Sequence, residues 1–183
     1  EVSGIDLSQF ELWYSQAGTP QVDVTSAHDA DTAGGMYTLT FAQSCPATPG
    51  QDTKEPFHIP VRIGLLDPDT GADLPLRLEG EAEDAPGAGD TTRVFSLRGV
   101  EETLKFVGVG AKRPVASLFR DFSAPVKVAH EQETQADLEL MMGHDSDAVN
   151  RWDASQKLGM NVLKRAHEQL VAGTAEDDVV VDP

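Results

Sequence analysis

Cysteine is almost absent from this 183-residue chain: Cys45 stands alone and has no partner for an intrachain disulfide. That excludes a disulfide-stapled scaffold and suits a reducing compartment, so the expected location is cytoplasmic. Cations are scarce too. Lys plus Arg is 14 and Asp plus Glu is 31, a formal net charge of −17. Polyphosphates and anionic membranes repel such a surface unless a basic stripe is set apart, and none is visible. The expected partners therefore include no nucleic acid and no membrane. No apolar run approaches the ~18 residues of a membrane span, and no stretch has the form of a signal peptide. Aromatic residues make up 6% of the chain and fall mostly in strand-core phase. That leaves no platform for a free-standing ligand-binding sandwich, the alternative to the reading below. The first residue is Glu1 rather than Met, which gives the expectation of a piece excised from something longer.

What is present is an ordinary globular composition. Hydrophobic residues are 39%, with 16 glycines besides, and a fold of this size buries about 70% of its unfolded surface. The first 130 residues alternate apolar and polar with period two, the signature of half-buried strands. Five clear runs are Phe10–Ser15, Val22–Val24, Tyr37–Phe41, Ile59–Leu65 and Leu74–Leu78. Four weaker ones are Arg93–Leu97, Thr103–Val107, Val115–Arg120 and Val126–His130. About nine short strands predict a mainly β fold, an antiparallel β-sandwich. Asp67-Pro68-Asp69-Thr70-Gly71 reads as a tight turn. Pro60 and Pro75 lie in strand patterns and belong at edges or bulges. Glu79–Asp90, acidic and rich in Gly and Ala, reads as a mobile loop.

The period changes after about residue 133. Thr134 followed by Asp137 makes a capping box for a short helix to about Met142, ended by Gly143. Asp145 or Ser146 caps a second helix running to about Ala172. Its apolar face carries Val149, Trp152, Gly159, Val162, Leu163, Ala166 and Leu170, with Leu158 at the margin. A helix of that length overhangs any sandwich it docks on. The expected division is a sandwich over 1–132, a helical segment over 133–173 and an acidic tail over 174–183. The overhanging stripe also predicts weak homodimerisation through Ser146, Trp152, Leu163 and Leu170.

Candidate chemistry falls short at each motif. His130-Glu131 and His167-Glu168 open like a zinc-protease helix, but the second His four residues on is Thr134 and Val171. Asp67, Asp69 and Asp73 suggest a calcium loop, yet Leu78 stands where the bidentate Glu is needed. Gly108-Val109-Gly110 lacks a third glycine, with Arg113 in its place. Cys45 precedes Pro46 with no adjacent His and reads as a spectator. His28, His58 and His144 stand apart from each other in sequence. Arg77, Arg93, Lys112 and Arg113 are candidates for orienting a partner. No catalytic, cofactor-binding or metal-binding residue is assigned.

One stretch is more specific. Phe10-Glu11-Leu12-Trp13-Tyr14-Ser15-Gln16-Ala17-Gly18-Thr19-Pro20 resembles the segment that follows the catalytic domain in the bacterial aminopeptidase N family, zinc metallopeptidases of the gluzincin type. Three further matches follow in the family's order: Phe57-His58-Ile59-Pro60, Phe122-Ser123-Ala124-Pro125-Val126-Lys127 and Arg151-Trp152-Asp153-Ala154. The resemblance runs over about residues 6–165, with Glu79–Asp90 divergent. It implies an immunoglobulin-like third domain followed by the opening of the large C-terminal helical domain. The implied partners are the preceding catalytic domain and the following helical domain. Zinc, its His-Glu-x-x-His helix and the transition-state Tyr belong to the parent's catalytic domain. Tyr14 and Tyr37 do not match that Tyr. The resemblance thus implies a non-catalytic spacer in which Trp13 packs on the sandwich and Trp152 anchors the helix.

Overall fold

The computed structural model describes residues 6–173, 175, 179 and 180; the expected acidic tail lies mostly outside them. Seven strands form two sheets: β1 (Gln21–Asp29), β2 (Met36–Ser44), β3 (Ile59–Leu66), β4 (Thr92–Leu97), β5 (Glu101–Val107), β6 (Val115–Leu118) and β7 (Lys127–His130). One sheet has the order β5-β2-β1-β7 and the other β4-β3-β6. Alternation does what period two requires. Val22, Val24, Tyr37, Leu39 and Phe41 meet Ile59, Val61, Ile63 and Leu65 in one core between the sheets. The pairing corrects the all-antiparallel expectation. β7 runs parallel to β1, Gln21 opposite Lys127 through Val24 opposite His130, so that sheet is mixed.

Two expected strands are not strands. Phe10–Ser15 instead contains a helical turn, α1 (Leu12–Ser15). Its alternation also places Phe10 and Trp13 three apart on one helical face. Trp13 stacks on Phe57 with ring centroids 4.6 Å apart, and its Nε1 donates to the His58 carbonyl at 2.9 Å. Leu74–Leu78 is extended but crosses between sheets. Leu74 N donates to Leu65 O at its start, and Glu79 N donates to Lys105 O just past its end. Pro75 has no N–H for a continuous ladder. Pro60 does lie within β3, where β6 does not reach. There the Ser123 hydroxyl substitutes for a neighbour, accepting from Arg62 N and donating to Pro60 O.

The turn at Asp67–Gly71 forms as read: Gly71 N donates to Asp67 O at 2.8 Å, and Gly71 has φ 71°. Glu79–Asp90 is a run of turns tied down by Glu81. That carboxylate accepts two bonds from Arg93 at 2.7 and 2.8 Å and one from Leu78 N at 3.0 Å. The Arg93 bonds hold Glu81 down to about 2, well below the ordinary carboxylate range.

Helix α2 (Gln135–His144) begins with the predicted capping box, Thr134 with Asp137. It runs through Gly143 and ends at Asp145, because nothing there forces a left-handed glycine. Helix α3 (Ala148–Val171) is capped by Asp147 rather than Asp145 or Ser146. Among the described residues, no helix is long and apolar enough to cross a membrane. Ala154 is the fully buried residue of α3, with Leu158 beside it against Leu66, Val115, Leu138 and Met141. Trp152 points the other way and is 63% exposed, so within this chain it does not anchor the helix. The apolar stripe read from the sequence is the outer face, and the docked face is narrower.

At the seam between β1 and the helices, His130 Nε2 lies 3.1 Å from Ser26 Oγ. Burial holds this imidazole below its ordinary value of 6.5, helped by the charges of Arg113 and Lys157.

Trp13→Ala should cost about 3 kcal/mol in denaturant unfolding, whereas Trp152→Ala should cost less than about 0.5 kcal/mol in the 183-residue chain; equal losses would contradict this division. The sign at His130 follows from its lowered pKa. The unfolded chain takes up a proton that the folded chain refuses, so stability is full above 6.5 and is lost as pH falls toward the folded value. The free energy of unfolding should therefore fall more steeply on acidification in the native protein than in His130→Gln. A difference between the two that is independent of pH would contradict it.

Candidate functional site

The strand pattern Val115–Arg120 ends in a cation, and that residue organises the junction between sandwich and helices. After Leu118 the chain enters the left-handed region at Phe119, Asp121 and Phe122, with φ of 53–54°. This turns Arg120 inward, where it is 2% exposed. Its Nε donates to Ser117 Oγ at 2.8 Å, and Nη1 donates to Thr92 Oγ1 at 2.7 Å. Nη2 donates to Asp73 Oδ1 at 2.5 Å and pairs with Asp145 Oδ1 at 3.1 Å. Gly64 makes the space: a Cβ there would lie 2.0 Å from the Arg120 guanidinium carbon.

The helical side answers with a short acidic sequence. Asp145 is fully buried, and burial raises its pKa above the ordinary carboxylate value. Ser146 donates to the second oxygen of Asp73 at 2.6 Å. Asp147 accepts from Asn150 N as the α3 cap and from Asp121 N across the junction, both at 2.8 Å. Asn150 donates to Ser117 Oγ at 2.8 Å and to the Leu118 carbonyl at 2.9 Å. A buried guanidinium with several partners is costly to desolvate and costly to break, by about 3–5 kcal/mol when one partner is lost. It fixes one arrangement.

A second clamp lies along α2. Arg113 Nη2 bonds both oxygens of Asp137 at 2.6 and 2.7 Å, and Asp137 also completes the capping box. Lys157 of α3 pairs with Glu133 at 3.0 Å and with Asp153 at 3.2 Å. Between β7 and α3 runs an open groove of about 220 Å³, lined by Phe122, Val126, Val128, Val149 and Trp152 among others.

The residues singled out from the sequence are dispersed. His28 Nε2 meets the Gly110 carbonyl at 3.1 Å and His58 Nε2 meets Ser96 Oγ at 2.9 Å. His144 sits beside Gly71, and His167 is exposed on α3. Among the described residues, no three His, Cys, Asp or Glu are placed to hold a metal ion. Asp67 is spent on its own turn, Asp69 on Lys112 and Asp73 on Arg120. Gly110 packs against Gly35, where a Cβ would lie 1.9 Å from the Gly110 carbonyl oxygen. Cys45 is half-buried against Gly18. The four candidate cations each pair within the chain: Arg77 with Glu83, Arg93 with Glu81, Lys112 with Asp69 and Arg113 with Asp137. Tyr14 is exposed and Tyr37 is buried. Spacing alone does not join Arg120, Asp145, Asp147 and Asn150 into one site, and it offers Asp145 only as a helix cap. Their signal was an Arg ending an apolar strand and an Asp-Ser-Asp opening a helix.

Comparison with known proteins agrees with the fold. Residues 18–131 match the family described as "Domain of unknown function (DUF3458) Ig-like fold", and residues 135–182 match "Domain of unknown function (DUF3458_C) ARM repeats". The chain is 38% identical over 164 residues to aminopeptidase N of Escherichia coli (strain K12) and 35% identical over 164 residues to that of Haemophilus influenzae. It is 39% identical over 163 residues to aminopeptidase N of Caulobacter vibrioides. These alignments cover 89–90% of this chain and 17% of each relative. A crystal structure of Legionella pneumophila aminopeptidase A in complex with aspartic acid superposes with a TM-score of 0.69 at 26% identity, over 99% of this chain and 17% of that one. The sequence resemblance and the Ig-like fold thus agree: the chain belongs to the DUF3458 Ig-like family, and the relatives it resembles are aminopeptidases N.

Proposed function

We propose that this chain is the non-catalytic spacer of a zinc-dependent aminopeptidase that removes N-terminal amino acids from peptides. It holds the catalytic domain and the C-terminal helical domain at fixed separation. The observation that carries the reading is the buried Arg120 cluster, which joins the β4-β3-β6 sheet to the helices through Ser117, Thr92 and Asp145. A binding module needs free polar groups at a loop end. Here the strongest polar groups are spent between elements of the same chain, as a rigid joint requires.

The organisation within that role is a sandwich over 1–132, a helical segment over 133–173 and an acidic tail over 174–183. Zinc does not fit the residues present. The rings of His28, His58 and His130 are each committed to different oxygens, and His167 has Val171 where the second imidazole of a zinc helix stands. The metal and the bond-breaking step belong to the parent's catalytic domain. The lone Cys45 and the −17 charge support a cytoplasmic parent. The exposed Trp152, Leu163 and Leu170 support weak self-association of the isolated chain, whereas the Ser146 hydroxyl is turned to Asp73.

Purified chain supplied with zinc should not hydrolyse an aminoacyl-anilide, whereas the full-length protein should do so and lose that activity to a chelator. Turnover by the 183-residue chain would overturn the spacer reading. An inactive, correctly folded full-length protein would overturn the peptidase assignment.

A further inference from the structure

Strand β7 ends at His130, and residues 131–134 carry the chain across to α2. This strap continues along the β1 edge where β7 stops. Glu131 N donates to Val24 O at 3.1 Å, and Ser26 N donates to the Gln132 side-chain oxygen at 2.7 Å. The His130 ring stands at the same place, with Nε2 3.1 Å from Ser26 Oγ. It shares a groove open to solvent with Glu133, Asp153 and Lys157. The carboxylates at this seam are already committed. Asp137 gives both oxygens to Arg113 Nη2, Glu133 gives both to Lys157 Nζ, and Asp153 pairs with Lys157 as well. Glu131 is turned to solvent. Donors are in surplus: Tyr37 Oη and Arg113 Nη1 are buried without a hydrogen-bond partner.

A proton on His130 therefore adds a donor where acceptors have run out. The neutral ring can accept the Ser26 hydroxyl proton, whereas the charged ring only donates. It faces Arg113 from the segment before β6 and Lys157 from α3. It is left to compete for Asp137 of α2 and Glu133 of the strap, the carboxylates that clamp the helices. Burial first, then the Arg113 and Lys157 charges, make the ring refuse a proton, with Asp137 opposing. We propose that His130 is a proton-operated catch: neutral, it keeps the strap and the first turn of α2 on β1, and protonated, it lets them lift. The Arg120 cluster lies at the other end of α2 and stays closed. Asp145 there works in the opposite sense. Burial raises its pKa, so the folded joint takes up that proton more readily than the unfolded chain does, and acid does not open that end. The joint thus has one fixed end and one acid-sensitive end. This is a property of the chain itself and does not rest on the peptidase reading, so the two fail separately.

The Ser26 and Glu131 amides report the catch, because their bonds cross between β1 and the strap. Their exchange is measured in the 183-residue chain and corrected for the intrinsic pH dependence of amide chemistry. Opening should be several-fold greater at about pH 5.5 than at about pH 7.5, while amides paired between β1 and β2 keep their protection. His130→Gln should abolish this response. His144→Gln, at the end of α2 beside Gly71, should retain it. An unchanged response in His130→Gln overturns the proposal, as does its loss in His144→Gln or its absence from the native chain. Loosening of the β1–β2 amides in step with Ser26 also overturns it, since that is global unfolding. A second test needs no variant. The His130 imidazole resonances of the native chain should titrate below 6.5, and a midpoint at or above that value reverses the sign and overturns the catch.

Discussion

A guanidinium removed from water is the constraint around which this molecule is arranged. Arg120 cannot be buried without partners, and its partners come from four places: Thr92 on β4, Ser117 on β6, Asp73 beyond the β3 turn and Asp145 between the helices. Satisfying it therefore brings these segments to one point. Gly64 must stay small for the same reason, and the left-handed residues Phe119 and Asp121 are tolerated because they turn the side chain inward. A hydrophobic joint would hold the helices with comparable strength but would tolerate sliding. A ring of directional, charge-assisted bonds allows one seat.

That seat accounts for the charge distribution. The chain carries an excess of acid, yet its notable cations are each drawn into an internal pair. Arg93 ties the acidic turns to β4, Arg113 ties α2 to the sandwich, and Arg120 ties both to α3. The polar chemistry is spent on holding shape. What remains outward and apolar is concentrated along α3 and the groove beside it. A rigid body with one apolar flank is what the proposed spacer role calls for.

Much of this was legible in the sequence. Period two located β1, β2 and β3 because their inward residues face a shared core, and the Thr134–Asp137 capping box located the start of α2 within a residue. The failures have physical causes. Phe10–Ser15 alternates like a strand, but the pull of Trp13 toward Phe57 and the His58 carbonyl makes a helical turn better satisfied. Leu74–Leu78 has strand spacing, but Pro75 and the change of sheet deny it a ladder. The parallel β1–β7 pair is a property of topology, which local periodicity does not encode. The docked face of α3 was assigned to its largest apolar residue, Trp152, whereas the small Ala154 permits the close approach. The Arg120 site was hidden because its members are spread over Asp73, Thr92, Ser117 and Asp145, and no spacing rule links them.

The buried Arg120–Asp145 contact seats the helices on the sandwich. Amide exchange in Asp145→Ala tests it directly, because Asp73 still pairs Arg120 and the sandwich keeps its own core. Exchange should be at least about tenfold faster across α2 and α3, with β1, β2 and β3 close to native protection. Native protection throughout α2 and α3 in this variant would contradict it.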